Sequence, residues 1–413
     1  MSKLHLPGAT FSSTSWSSNR KWALSYLAIA VVVYLMNHFL FIGNVLPSNV
    51  KMTMLGWLNP LTINEALVYA IMALGLNIVV GYAGLLDLGF VAFWAIGGYV
   101  AGWLMSGFFG SLNINIGGNP GFGVIGGIHL PWWLVILAAG GFTAIWGVII
   151  GAPTLRLKSD YLALVTLGFG EIIPEVFRNG DDINGWNVSN GNLGIAPIDA
   201  IKIGPKSLGP FDTDIKFIIY AAIVAFVIMV SLRLREGRLG RAWLAIREDE
   251  LAASMMGVPL MRTKLAAYAV GATAGGFGGV VFATHIEAVL PDRFQFAISI
   301  ILLAMVVLGG MGNVWGVLTG SLLLAWFNST GLKQIGVTIN GILGTEIDFT
   351  TLTFLIFGGS LILMMLFRRE GFIPEARTRA VMREPERSDL ESHGAEAEYV
   401  DAESHVHSPK EGL

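Results

Sequence analysis

The chain has 413 residues, of which 54% are hydrophobic and only 13% are charged, whereas a soluble domain carries about 25% charged residues. This composition excludes an ordinary soluble protein and indicates a chain embedded in lipid. The absence of cysteine excludes disulfides, thiolate metal sites and cysteine nucleophiles, and the small net charge of -3 conceals an acidic C-terminal segment.

Apolar runs that match a hydrocarbon core of about 30 Å recur along the chain and predict its transmembrane helices. They lie at 22–43, 62–80, 85–107, 132–152, 160–178, 215–233, 263–286, 294–309, 313–330 and 350–367. The Arg20-Lys21 pair directly precedes the first run, and no small-residue cleavage site follows it, which favours a retained span over a signal peptide. We therefore predict an all-α, polytopic transmembrane bundle of about ten spans.

The distribution of charged residues indicates the topology and divides the chain into three regions. Lysine and arginine concentrate in the loops on one side of the predicted bundle, so the positive-inside rule places both termini in the cytoplasm. Residues 1–19 form a polar cytoplasmic N-terminus, and residues 20–370 form the transmembrane domain. Residues 371–413 are acidic with few large apolar side chains, which predicts a disordered cytoplasmic tail.

Two glycine-rich stretches, at 81–89 and 309–316, interrupt apolar sequence where a helix would otherwise continue. Irregular backbone at membrane depth is tolerated where protein buries it or where it lines a water-filled path. The stretches therefore predict broken helices along a transport path, although tight turns at one membrane face explain them as well.

The longest predicted cytoplasmic loop, 233–264, contains a segment that favours a short amphipathic helix. Residues 242–256 include no helix breaker, and Gly257 and Pro259 supply a stop. Leu244, Leu251, Ala252 and Met255 can share an apolar face, while Arg247 to Glu250 supply polar side chains. Such a helix could bind a cytoplasmic motor or lie against lipid headgroups.

Four separated stretches resemble permeases of the branched-chain amino-acid ABC importers, the LivM family. The stretch GRAWLAIREDELAASMMG at 240–257 resembles the coupling-loop region of that family. The others are GLNIVVGYAGLLDLGF at 75–90, LRLKSDYLALVTLGFGEI at 155–172 and AISIILLAMVVLGGMGNVWGVLTG at 297–320. The match extends over nearly the whole membrane region.

The resemblance implies a transport subunit of the bacterial inner membrane and not an enzyme. It would pass small amino acids, most simply branched-chain ones, with no cofactor or metal. Its implied partners are a sister permease in a heterodimer, two cytoplasmic ATPase subunits and an external solute-binding protein. The chain itself has no G-x-x-x-x-G-K-[ST] phosphate loop, so ATP would be hydrolysed on another chain.

The resemblance also implies roles for particular residues. Ala252, Ala253 and Gly257 match the A-A-x-x-x-G part of the ATPase-coupling motif. Leu251 stands where the general importer motif has its glutamate, and Glu250, one position early, is assigned the coupling role of that glutamate. The stretch DLGF at 87–90 also departs from the family, which tends to have Ser and His in place of Asp87 and Phe90.

Charged side chains at bilayer depth are candidates for the translocation path because they are costly to bury. Glu171 and Asp87 are the candidates here. Three alternatives remain open: a permease for urea or short amides, an ion-coupled secondary transporter, and a membrane-embedded enzyme. The enzyme needs a histidine and carboxylate cluster, but His38 and His285 are isolated in the sequence.

Overall fold

The computed structural model describes residues 13–38, 48–120, 126–157, 159–204, 206–209, 212–344, 351–367 and 371–373. These residues fold mainly into helices. The helices are α1 Ser13–Leu35, α2 Ser48–Trp57, α3 Pro60–Leu76, α4 Val91–Leu104, α5 Trp132–Thr154, α6 Ser159–Arg178, α7 Thr213–Glu236, α8 Arg238–Glu248, α9 Glu250–Met255, α10 Leu260–Ile286, α11 Phe296–Gly309, α12 Val314–Trp326, α13 Leu332–Leu343 and α14 Thr353–Phe367. Of the predicted polar N-terminus and the predicted disordered tail, residues 1–12 and 374–413 lie outside the described part.

Short strands, which the sequence analysis did not predict, lie in two of the connections. Between α4 and α5, β1 Met105–Ser106 pairs antiparallel with β3 Gly127–His129, and β2 Asn113–Asn115 pairs parallel with β3. Between α6 and α7, β4 Lys202–Ile203 and β5 Lys206–Ser207 form an antiparallel pair. These strands are too short to change the class, and the predicted helical membrane fold is confirmed.

Five helical segments of the described chain are long and apolar enough to cross a membrane. They are Met54–Tyr82, Trp132–Thr154, Thr213–Glu236, Leu260–Ile286 and Pro291–Gly309. Val91–Leu104 and Thr353–Met364 are shorter apolar helices. The first segment joins α2 and α3, where Asn59 accepts a hydrogen bond from the Leu61 amide and Pro60 starts α3.

Helices α3, α4, α5 and α10 form the centre of the bundle. Nearly every residue of α3 from Ala66 onward is buried, and α10 packs against α3, α4 and α5. Gly97 of α4 faces Gly276 of α10 so closely that a Cβ on Gly97 would lie 2.5 Å from the Gly276 carbonyl oxygen. Small residues allow this approach, which supplies packing energy between helices in lipid.

The two ends of the bundle differ in character. One end carries α8 and α9 and is called the α8 end below. The opposite end carries the strands, where His129 Nδ1 lies 2.8 Å from Asp199 Oδ2 and both side chains are buried. Burial raises the pKa of Asp199 above its usual value, although the hydrogen bond with His129 acts in the other direction.

Candidate functional site

The segment predicted as one helix over 242–256 is two helices, so that part of the prediction is wrong. Helix α8 ends at Glu248, and Asp249 has an extended backbone with φ -153° and ψ 111°. The Asp249 carboxylate accepts hydrogen bonds from the amides of Leu251, at 2.8 Å, and Ala252, at 3.0 Å. Asp249 is thus the N-cap of α9, a role that aspartate often fills and that the sequence analysis overlooked.

The residues with an expected coupling role all lie on α9 or at its end. Glu250 Oε1 accepts a hydrogen bond from Lys264 Nζ at 2.6 Å, which ties the start of α9 to α10. Ala253 is buried, whereas Ala252 is exposed. Gly257 ends the segment with φ +83°, a conformation that glycine adopts without strain. Glu250 and Ala253 therefore hold α9 in place, and Ala252 faces outward.

The outer side of α9 is apolar. Leu251 is 68% exposed, Met255 79% and Met256 84%, and they flank the exposed Ala252. These four residues are called the α9 surface below. A group of exposed large apolar side chains on so short a helix is a feature of contact sites.

Helix α8 is fixed to the bundle through its inner side. The indole of Trp243 is fully buried and donates a hydrogen bond to the Thr263 carbonyl oxygen at 2.8 Å. Ile246 is buried beside it. Because Trp243 and Glu250 both bind the first turns of α10, α8 and α9 are tied to a long central helix.

Arg247 reaches from α8 into the bundle, although its position at the start of the charged run 247–250 suggested an outward side chain. Arg247 Nη1 donates a hydrogen bond to the Gly81 carbonyl oxygen at 2.5 Å. The side-chain stem lies against Gly84, where an added Cβ would be 2.8 Å from Arg247 Cγ. The Arg247 guanidinium thus takes the place of the backbone amide that would donate to the Gly81 carbonyl oxygen in a continuous helix.

The two predicted helix breaks are present and meet each other. Helix α3 passes into a π-helical turn, Asn77–Tyr82, and helix resumes only at Val91. Likewise, α11 ends at Gly309 and α12 starts at Val314. Asn77 Oδ1 accepts a hydrogen bond from the Gly312 amide at 2.9 Å, which joins the first break to the second.

Gly81 is the point where these contacts converge. A Cβ on Gly81 would lie 2.1 Å from Asn77 Oδ1 and 2.7 Å from the Gly312 nitrogen. Asn77, Gly81, Arg247 and Gly312 are called the junction below. The junction connects α8 with both breaks through backbone groups that a regular helix would have paired internally.

The chain after α14 returns to the second break. The amides of Phe372 and Ile373 donate hydrogen bonds to the carbonyl oxygens of Leu308, at 2.8 Å, and Gly309, at 3.2 Å. The Asn313 side-chain amide donates to the Ile373 carbonyl oxygen at 3.0 Å. The first three residues of the predicted tail are therefore packed on the C-terminal end of α11.

Asp87 and Glu171, the candidates for the translocation path, lie at a similar level of the bundle but on different sides of α6. Asp87 is buried in the first break, and its Oδ1 accepts a hydrogen bond from the Gly89 amide at 2.8 Å. Its Oδ2 has no partner among the described residues. Gly89 packs on Gly170 of α6, while the neighbouring Glu171 is exposed.

Comparison with known proteins identifies the family. The family described as "Branched-chain amino acid transport system / permease component" matches residues 61–366, which include α3 to α13 and nearly all of α14. The chain belongs to this permease family. It is a permease subunit of the ABC importer type, as the resemblance of its four stretches indicated.

Individual relatives agree with this assignment. The permease is 35% identical over 327 residues to the high-affinity branched-chain amino acid transport system permease protein LivM of Escherichia coli, covering 75% of this chain and 69% of that protein. It is 27% identical over 335 residues to a probable LivM of Methanocaldococcus jannaschii, covering 74% and 90%. It is also 25% identical over 201 residues to the autoinducer 2 import permease LsrC of an Enterobacter strain, covering 49% and 52%.

The opposite end of the permease holds a buried ion pair that the sequence analysis missed. Lys216 Nζ lies 3.7 Å from Glu287 Oε1, and the lysine side chain is only 1% exposed. His285 packs edge-on against Tyr220, and His38 Nδ1 lies 3.2 Å from Asp214 Oδ2. The two histidines are therefore not isolated, but no group of three metal-binding side chains exists in the described part of the chain.

Proposed function

We propose that this permease carries branched-chain amino acids across the bacterial inner membrane. An external solute-binding protein delivers the amino acid, and two cytoplasmic ATPase subunits supply the energy. A sister permease completes the membrane part as a heterodimer. The α9 surface is the observation that carries the proposal, because it offers an exposed apolar contact on a segment held firmly by α10 and the junction.

The proposed orientation places the α8 end in the cytoplasm. Arg233, Arg238, Arg241 and Arg262 are exposed at this end, as the positive-inside rule requires of a cytoplasmic face. Both termini then lie in the cytoplasm, and the chain crosses the membrane ten times. The crossing helices would be α1, α3, α4, α5, α6, α7, α10, α11, α12 and α14.

In this orientation the α9 surface binds in a groove on an ATPase subunit. Met255 and Met256 supply flexible, polarizable contacts that adapt to a moving partner. Ala252 is small and exposed one helical turn before them, so a partner side chain can approach the helix backbone closely. Gly257 turns the chain sharply behind α9 and keeps the following residues away from the contact.

Movement of α9 would then reach the membrane interior through two attachments. Trp243 and Glu250 transmit it to α10, and Arg247 transmits it to the junction. The junction holds the ends of two broken helices, whose backbone can change without unwinding a complete span. Closure of the ATPase subunits would in this way shift both breaks together.

The translocation path would lie between this permease and its sister. Glu171 is exposed on the chain alone, so a second permease packed on the outer side of α6 would bring it to a shared, enclosed surface. Asp87 lies behind it in the first break and would tune the polarity of that surface. An exposed carboxylate at membrane depth is costly without such a partner.

The substrate assignment comes from the LivM relatives, and urea or short amides are the competing cargo. A related permease serves autoinducer 2 import, so members with similar membrane regions differ in cargo. The binding protein is therefore the component that selects the cargo. Uptake experiments in which leucine competes against urea distinguish the two candidate substrates. An ion-coupled transporter is the less favoured alternative, since Glu287 in the pair with Lys216 is still 26% exposed and the buried His129–Asp199 pair lies among the strands.

A pulldown tests whether the α9 surface binds the ATPase. The permease is purified in detergent together with co-expressed ATPase subunits, and Ala252→Arg is compared with wild type. A bulky charge on this small exposed position should abolish copurification of the ATPase while the permease remains folded.

The matched control is Ile203→Arg, which adds the same charge to an exposed apolar position at the opposite end. This variant should retain the ATPase fully. Equal retention by the two variants would contradict the docking role of α9.

A further inference from the structure

A large apolar groove runs between α1 and the rest of the bundle. Its volume is about 800 Å³, and its walls come from α1 on one side and from α3, α7 and α12 on the other. Ala30 and Val33 of α1 line it together with Val224 and Ile228 of α7. Because α7 is one of the membrane-crossing segments, the groove lies within the hydrocarbon layer.

Helix α1 is attached to α12 on one side of the groove, and His38, just after α1, pairs with Asp214 of α7 at the far end. The ring of Tyr26 stacks on Trp315 with the ring centroids 5.4 Å apart, and its hydroxyl donates a hydrogen bond to the Trp315 carbonyl oxygen. The Tyr26 hydroxyl also bonds to Thr319. These contacts join α1 to α12 along one side of the groove.

The charged residues of the groove all lie at one end. Arg20 and Arg233 line it at the α8 end, together with one acidic residue, Glu236. Met36, Leu58 and Trp326 line the far end, where no charged residue contributes. The groove is thus apolar along its length and carries a net positive charge at a single end.

We propose that this groove binds an anionic phospholipid. Its acyl chains would lie along α7 and α1, and its phosphate would bind between Arg20 and Arg233. Guanidinium groups match phosphate oxygens in geometry and charge, and basic pockets between transmembrane helices are typical sites for anionic headgroups. A solute carried by the permease would not fit this arrangement, because the wall has almost no polar group along most of its length.

The bound phospholipid would also hold the start of the loop 233–264 in place. Arg233 lies in the last turn of α7, only five residues before Arg238 at the start of α8. A phosphate held by Arg233 and Arg20 would link α1 to the end of α7 directly beside the coupling segment. The lipid would therefore stabilise the position from which α8 begins.

Lipid retention tests the site. The permease is purified in detergent, incubated with phosphatidylglycerol or phosphatidylcholine, and analysed by native mass spectrometry. We expect wild type to retain phosphatidylglycerol in preference to phosphatidylcholine. The double variant Arg20→Gln/Arg233→Gln should bind phosphatidylglycerol about 25-fold more weakly, roughly fivefold for each arginine.

Two controls separate a specific site from general attraction. Arg238→Gln/Arg262→Gln removes two exposed arginines at the same end that do not line the groove, and should leave phosphatidylglycerol retention unchanged. Ala225→Leu fills the groove and should reduce retention, whereas Ala222→Leu on the same helix should not. Equal losses in the two arginine pairs, or no preference for phosphatidylglycerol in wild type, would overturn the proposal.

Discussion

Arg247→Gln is expected to lower ATP-driven uptake by about tenfold to a hundredfold while leaving the complex with the ATPase intact. The guanidinium donates to the Gly81 carbonyl oxygen, and the stem fills the space beside Gly84. A hydrogen bond from a charged group contributes about 1.5 to 3 kcal/mol, and each 1.4 kcal/mol corresponds to a factor of ten. Uptake and ATPase activity of the reconstituted importer measure the effect.

The matched control for Arg247 is Arg238→Gln, on the same helix. Arg238 is exposed at the start of α8 and does not reach the junction, so its replacement should change uptake less than twofold. ATP hydrolysis should persist in the Arg247 variant, since the α9 surface is unchanged. Normal uptake by Arg247→Gln would show that the junction does not transmit the movement of α8.

Gly81→Ala is expected to prevent accumulation of folded permease. The added methyl carbon would lie 2.1 Å from Asn77 Oδ1 and 2.7 Å from the Gly312 nitrogen. The two breaks would have to separate to relieve the overpacking. The Gly312 amide would then lose its hydrogen bond to Asn77 Oδ1. We estimate a cost of about 3 kcal/mol or more, from the usual penalties for overpacking and for an unpaired buried polar group. Size-exclusion chromatography and thermal unfolding in detergent measure the outcome.

Gly141→Ala is the control for this substitution. Gly141 lies in α5, and an added Cβ meets no atom within 4 Å. The same chemical change there should leave folding unaltered or slightly improve it, because alanine favours the helix by about 1 kcal/mol over glycine. Similar behaviour of the two alanine variants would refute the tight contact at the junction.

The long apolar helices were predictable because burial in lipid imposes a simple rule on their length and composition. The runs at 132–152, 215–233 and 263–286 correspond closely to α5, α7 and α10, whose observed bounds extend them by only a few residues. The breaks at 81–89 and 309–316 were also predictable, since glycine weakens a helix, although the glycines at 271–279 lie inside the continuous helix α10. These features depend on neighbouring residues in the chain.

The junction was not predictable in the same way, because its members are far apart in sequence. Asn77 and Gly312 meet only once α3 and α11 are packed, and no local pattern shows that they bond to each other. Arg247 lies among charged residues, so its sequence context favoured solvent, whereas tertiary packing directs it to the Gly81 carbonyl. Asp249 is different, because aspartate is a common N-cap and its role at the start of α9 depends only on neighbouring residues.

The most direct test of the proposed function is uptake by reconstituted vesicles. Vesicles containing this permease, its sister and the ATPase subunits are supplied with the binding protein and radiolabelled leucine. We expect leucine uptake that requires both ATP and the binding protein and that excess urea does not reduce. Uptake that proceeds without ATP and follows an imposed sodium or proton gradient would contradict it.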